Sequence, residues 1–84
     1  MRIIGQIPHP SLRVTVMQMN DKFIVRLEAG PMEQLYKFDQ QRYPGLENIE
    51  KLADEPFLKA AIEQFNTMYL TMKATMERNP GKNG

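Results

Sequence analysis

Residues 12–38 read LRVTVMQMNDKFIVRLEAGPMEQLYKF, and apolar side chains fall at every second position through most of this stretch, the period of a strand with one face buried. From Leu46 to Met76 the spacing changes to three or four residues, the period of a helix with an apolar stripe. That single change of period predicts an α+β chain: a small antiparallel meander followed by two helices.

Asn20-Asp21 interrupts the first part of the alternation, and both residue types suit a tight hairpin turn. A two-residue loop there pairs Met19 with Lys22, Val16 with Val25, Val14 with Leu27 and Arg13 with Glu28. Apolar then meets apolar on one face and opposite charges meet on the other. The next turn lies around Ala29-Gly30-Pro31. A loop centred on Ala29-Gly30 sets Leu27 against Met32, Phe23 against Tyr36 and Arg26 against Glu33. Centring it on Gly30-Pro31 sets Glu28 against Glu33, a like-charge pair, so the first register is the one expected. The inner face is then Val14, Val16, Phe23, Val25, Leu27, Met32, Tyr36 and Phe38. Arg2–Ile7 is a candidate fourth strand at the edge, shortened by Gly5 and by Pro8-His9-Pro10 behind it.

Asp39 to Gly45 is a polar connector. Leu46, Ile49, Leu52 and Ala53 give one short amphipathic helix. Asp54-Glu55-Pro56 then opens a second, with a capping carboxylate, acid near the positive end of the dipole and proline in the first turn. Its stripe is Phe57, Leu58, Ala61, Ile62, Phe65, Met68, Tyr69, Met72 and Met76, with Lys59 and Glu63 paired one turn apart on the flank. Asn79-Pro80-Gly81 ends it. The expected architecture is a two-layer α+β fold: three antiparallel strands, or four if Arg2–Ile7 joins them, then a short helix and a long C-terminal helix packed on one sheet face. Residues 1–78 form one domain and 79–84 a flexible tail.

At 84 residues the chain is near the lower end of what folds unaided, so only one modest core is expected. Eleven basic residues against ten acidic ones give a net charge of +1, too little to steer the protein toward nucleic acid or an anionic membrane. Cysteine is absent, which removes disulfides, thiolate nucleophiles and Cys-type zinc sites and favours an intracellular origin. No apolar run suits a signal peptide or a membrane span. The expectation is a soluble, cytoplasmic protein.

Two features point to contact surfaces. On the outer sheet face the expected registers set Met17 against Ile24 and Ile24 against Leu35, an apolar strip on the side away from the core. Such a strip is tolerated surface, or is covered by Ile3, Ile4 and Ile7 or by the first helix, or is a surface for self-association or a partner. Replacing Ile24 with Lys separates these: an interface residue loses association and keeps the fold, a core residue unfolds. The second feature is Met68, Met72 and Met76. A helix from Phe57 to Arg78 spans roughly 33 Å at 1.5 Å per residue, whereas a seven-residue strand covers about 23 Å. Its last turns therefore tend to overhang the sheet, and these methionines either fill the core or meet a second subunit or another protein.

Chemical motifs are lacking. His9 stands alone between two prolines, Ser11 has no third group or glycine elbow beside it, and Glu47 and Glu50 share a helix face with no histidine nearby. Neither a catalytic site, a cofactor nor a metal is expected. The rival class is nucleic-acid binding through Arg13, Lys22, Arg26 and Lys37 on the outer sheet face, but Glu28 and Glu33 sit among them and Tyr36 and Phe38 fall on the opposite side, away from any bases to be stacked. The leading expectation is a small non-catalytic protein–protein interaction or oligomerisation module.

Overall fold

The structure, a computed structural model describing residues 1–82, is a four-stranded antiparallel meander followed by two helices. The strands are β1 (Arg2–Ile7), β2 (Arg13–Met19), β3 (Lys22–Ala29) and β4 (Met32–Asp39), in that spatial order. α1 covers Leu46–Leu52 and α2 covers Glu55–Arg78. Arg2–Ile7 is thus an edge strand, not a flap over the outer face. It pairs antiparallel with β2, and the register shifts between Ile3 and Gly5. Of the tail predicted for 79–84, Asn83 and Gly84 lie outside the described residues.

The β2–β3 register is the predicted one, from Arg13 opposite Glu28 to Met19 opposite Lys22. Asn20 takes φ 55°, the positive value a tight hairpin asks of its first loop residue.

The β3–β4 register corrects the expectation. Ala29 pairs with Met32 and Glu28 with Glu33, so the loop is Gly30-Pro31, and Ile24 stands opposite Lys37 while Leu35 stands opposite Arg26. Gly30 adopts φ 58°, a value glycine reaches without steric cost. Pro31 follows it, with φ held at about −65° by its ring. This repeats the positive first position of the Asn20-Asp21 turn. The like-charge pair that argued against this loop is relieved along the strand, where Arg26 Nε lies 3.2 Å from Glu28 Oε1. Turn chemistry outweighs a surface repulsion that a neighbouring cation removes. The slip is two residues, so every side chain keeps its face.

The core lies between the inner sheet face and the helices, with Leu12 from the β1–β2 link and Val14, Val16, Phe23, Val25 and Leu27 from the sheet meeting Ile49, Leu58, Ala61 and Phe65. α1 seats on β1 through Leu46, whose Cδ2 would lie 3.2 Å from a Cβ placed on Gly5. α2 begins as predicted: the Asp54 carboxylate accepts from the Phe57 N–H at 3.0 Å. The helix runs along β4 from Tyr36, whose ring meets Phe57 edge to face at 5.0 Å, to Gln34, whose Nε2 donates to the Ala61 carbonyl at 3.0 Å. Tyr36 Oη donates in turn to Gln34 Oε1 at 2.6 Å. Gln34 is buried and ties the two layers together, its amide satisfied by the helix and by Tyr36.

At 24 residues α2 is about 36 Å long, and Phe65 is its last buried residue. Met68, one turn on, still packs against the core, and the turns after it pass beyond the sheet. They stretch the molecule to 49 × 26 × 19 Å with a radius of gyration of 15.4 Å, against about 12 Å for a compact chain of this length.

Candidate interaction surfaces

The outer sheet face is less open than the alternation suggests. Among the described residues no helix covers it, yet Met17 is 4% exposed and Ile24 1%, while Leu35 is 55% exposed. The two buried residues form the floor of a hollow of about 250 Å³ whose walls include Met1, Met19, Arg26, Leu35 and Lys37. Side chains from neighbouring strands wall in this apolar floor: Lys37 is exposed, while Arg26 turns its guanidinium to Glu28 with its Nε buried. Met17, Ile24 and Leu35 are therefore together, but only Leu35 offers area to a partner. Beside them Thr15 is 1% exposed, and its Oγ1 is buried without a hydrogen-bond partner.

Of the four basic residues predicted on this face, Arg26 faces Glu28 and Lys22 lies 3.8 Å from Asp39. Arg13 and Lys37 are exposed and make no ion pair among the described residues. The aromatic rings of Tyr36 and Phe38 pack against the core on the inner face. The outer face is salt-bridged in part, and the rings of Tyr36 and Phe38 lie on the sheet's other side.

The long helix presents a different surface. Met68 and Met72 are half-buried, with Met68 packed against the core. Met76 is 54% exposed, and Tyr69 at 48% and Leu70 at 62% join it. The methionine ridge is therefore split: Met68 belongs to the domain's own packing and Met76 does not. Tyr69 and Leu70 extend the exposed surface. The predicted pairing of Lys59 with Glu63 is not formed, since the ion pairs among the described residues are Lys22–Asp39 and Arg26–Glu28. A lysine one turn before a glutamate is the weaker orientation of such a pair.

Beside the first half of α2 runs an open groove of about 690 Å³, with Leu58 and Ile62 along one wall and Ile7, Pro8 and His9 along the other. Ala53 closes one end, and Glu55, Lys59 and Glu63 stand at the rim. His9 holds the far wall in shape: its Nδ1 accepts the backbone N–H groups of Ser11 at 3.0 Å and Leu12 at 3.2 Å. The imidazole thus serves the backbone of the turn into β2. Alternation and helical spacing do not reveal this groove, because its walls meet only when the β1–β2 link folds against α2. The sequence signal that accompanies it is the run of charges along α2.

Among the described residues no group of three or more His, Asp or Glu side chains could hold a metal ion, and no helix is long and apolar enough to cross a membrane. No family model, curated protein or solved structure matches the chain.

Proposed function

We propose that this protein works by contact: a small non-catalytic interaction or oligomerisation module whose contact surface is the exposed side of α2. One observation carries the reading. The helix continues for three turns beyond its last buried residue, Phe65, and those turns expose Tyr69, Leu70 and Met76. Covering a large apolar side chain is worth roughly 1.5–3 kcal/mol, and apolar groups gathered on one element of a small domain mark a contact site. The cysteine-free composition suits a reducing compartment, and the proposed setting is the cytoplasm.

The test is the mass in solution by light scattering coupled to size exclusion, over a tenfold concentration range, for the native chain and for Tyr69→Ser and Met76→Ser. The expected result is an assembly that the substitutions dissociate while the cooperative melt survives. An assembly indifferent to both substitutions would remove α2 as the contact surface.

A further inference from the structure

The charges of α2 form a self-complementary pattern. At 3.6 residues per turn, Lys59, Glu63, Lys73 and Glu77 lie within about 80° of one another around the helix axis, with Glu55 on the same arc but opposite position 81, past the end of the other helix. All four are exposed, and none makes an ion pair within its own chain among the described residues. Laid antiparallel against a second copy, the row matches itself: Lys59 falls beside Glu77 of the other helix and Glu63 beside its Lys73, each twice by symmetry. Sliding one helix by a turn sets Lys59 against Lys73 or Glu63 against Glu77. A parallel two-fold pair sets every charge against its own like. Among two-fold pairings only the antiparallel one sets all four charges against an opposite sign, which is how charged flanks specify register and direction.

The apolar residues agree with that arrangement independently. Ile62, Tyr69 and Met76 recur at seven-residue spacing along the adjoining edge of the same face, Ile62 half-buried and the other two exposed. In the antiparallel register the two-fold axis passes at position 68, so Tyr69 lies beside its own copy and Met76 lies within two residues, about 3 Å, of Ile62. Ile62 also lines the groove beside Pro8 and His9. The overhanging end of one α2 therefore enters the groove of the other copy, where Met76 finds Leu58 and Ile7. The overhang supplies the apolar segment and the groove its seat, so each copy carries both halves of an isologous contact.

We infer that a second copy of this chain occupies the groove, forming a two-fold dimer of antiparallel α2 helices in the register Lys59–Glu77 and Glu63–Lys73. The inference rests on α2 being the contact surface and adds to it the partner, the direction and the register.

Charge reversal tests it. Lys59→Glu and Glu77→Lys each turn two attractive pairs of the dimer into repulsive ones, and each is expected to weaken dimerisation by about tenfold. The double variant Lys59→Glu/Glu77→Lys restores opposite signs and is expected to recover the native dissociation constant. Native chain and variants are compared by sedimentation equilibrium at low salt, with circular dichroism to show that each is folded. As a second readout, Tyr69→Cys, studied at a protein concentration high enough to offset the loss of the ring, introduces the only thiol in the chain. It is expected to form a disulfide-linked dimer on oxidation, and Thr71→Cys, on the far side of the helix, is not. A strict monomer overturns the inference. So does a dimer in which the double variant is no better than the singles and Tyr69→Cys fails to cross-link. If Tyr69→Ser and Met76→Ser still dissociate that dimer, α2 remains the contact surface and only the register falls.

Discussion

Thr15 and Ile24 sit on the same side of the sheet and make opposite demands on it. Thr15 is 1% exposed with an unpartnered hydroxyl, and a buried polar atom without a partner forfeits its hydration for nothing. Thr15→Val keeps the shape and β-branching and removes that atom, so it is expected to raise stability by about 1 kcal/mol. Ile24, also 1% exposed, has no water to offer an ammonium group. Ile24→Lys is expected to destabilise by about 3 kcal/mol or more, which places it among core changes and not among probes of association. Urea denaturation of the two variants beside the native chain checks both signs at once. Alternation tells which side of the sheet Met17 and Ile24 occupy. It does not tell whether Arg26, Leu35 and Lys37 close over them, because that depends on the lie of long side chains on neighbouring strands.

The meander is the most legible element, and its two hairpins show why. At Asn20-Asp21 the turn residues, the apolar pattern and the cross-strand charges all favour one register, and β2 and β3 take it. At the second turn they conflict, and the conflict is decided by Gly30 at φ 58°, not by Glu28 and Glu33. Faces survive the two-residue slip because the strand period is two. In α2 the cap at Asp54 and the overhang are both readable from spacing and length. The two roles within the methionine ridge are not, since they depend on where the sheet ends beneath the helix. A chain ending at Met72 keeps every residue buried in the core. It is expected to melt cooperatively while losing association, as circular dichroism and light scattering on the shortened chain will show.

At the scale of the whole molecule the extents of 49 × 26 × 19 Å describe a sheet with a lever attached, and a small core leaves such a chain with modest stability of its own. Association therefore feeds back on folding: a dimer adds free energy that depends on concentration. The melting temperature is expected to rise with protein concentration over the micromolar to millimolar range, and a concentration-independent melt would separate folding from assembly. The spatial order β1, β2, β3, β4 has a kinetic meaning as well. Every strand pairs only with its neighbours in sequence, and the two turns at Asn20 and Gly30 are closed by two-residue loops. No distant segment has to be found before the sheet can form, so little loop-closure entropy stands between the unfolded chain and its nucleus. The meander can zip from either hairpin, and the turns of α2 beyond Met68, which the sheet does not hold, stay open to a neighbouring chain.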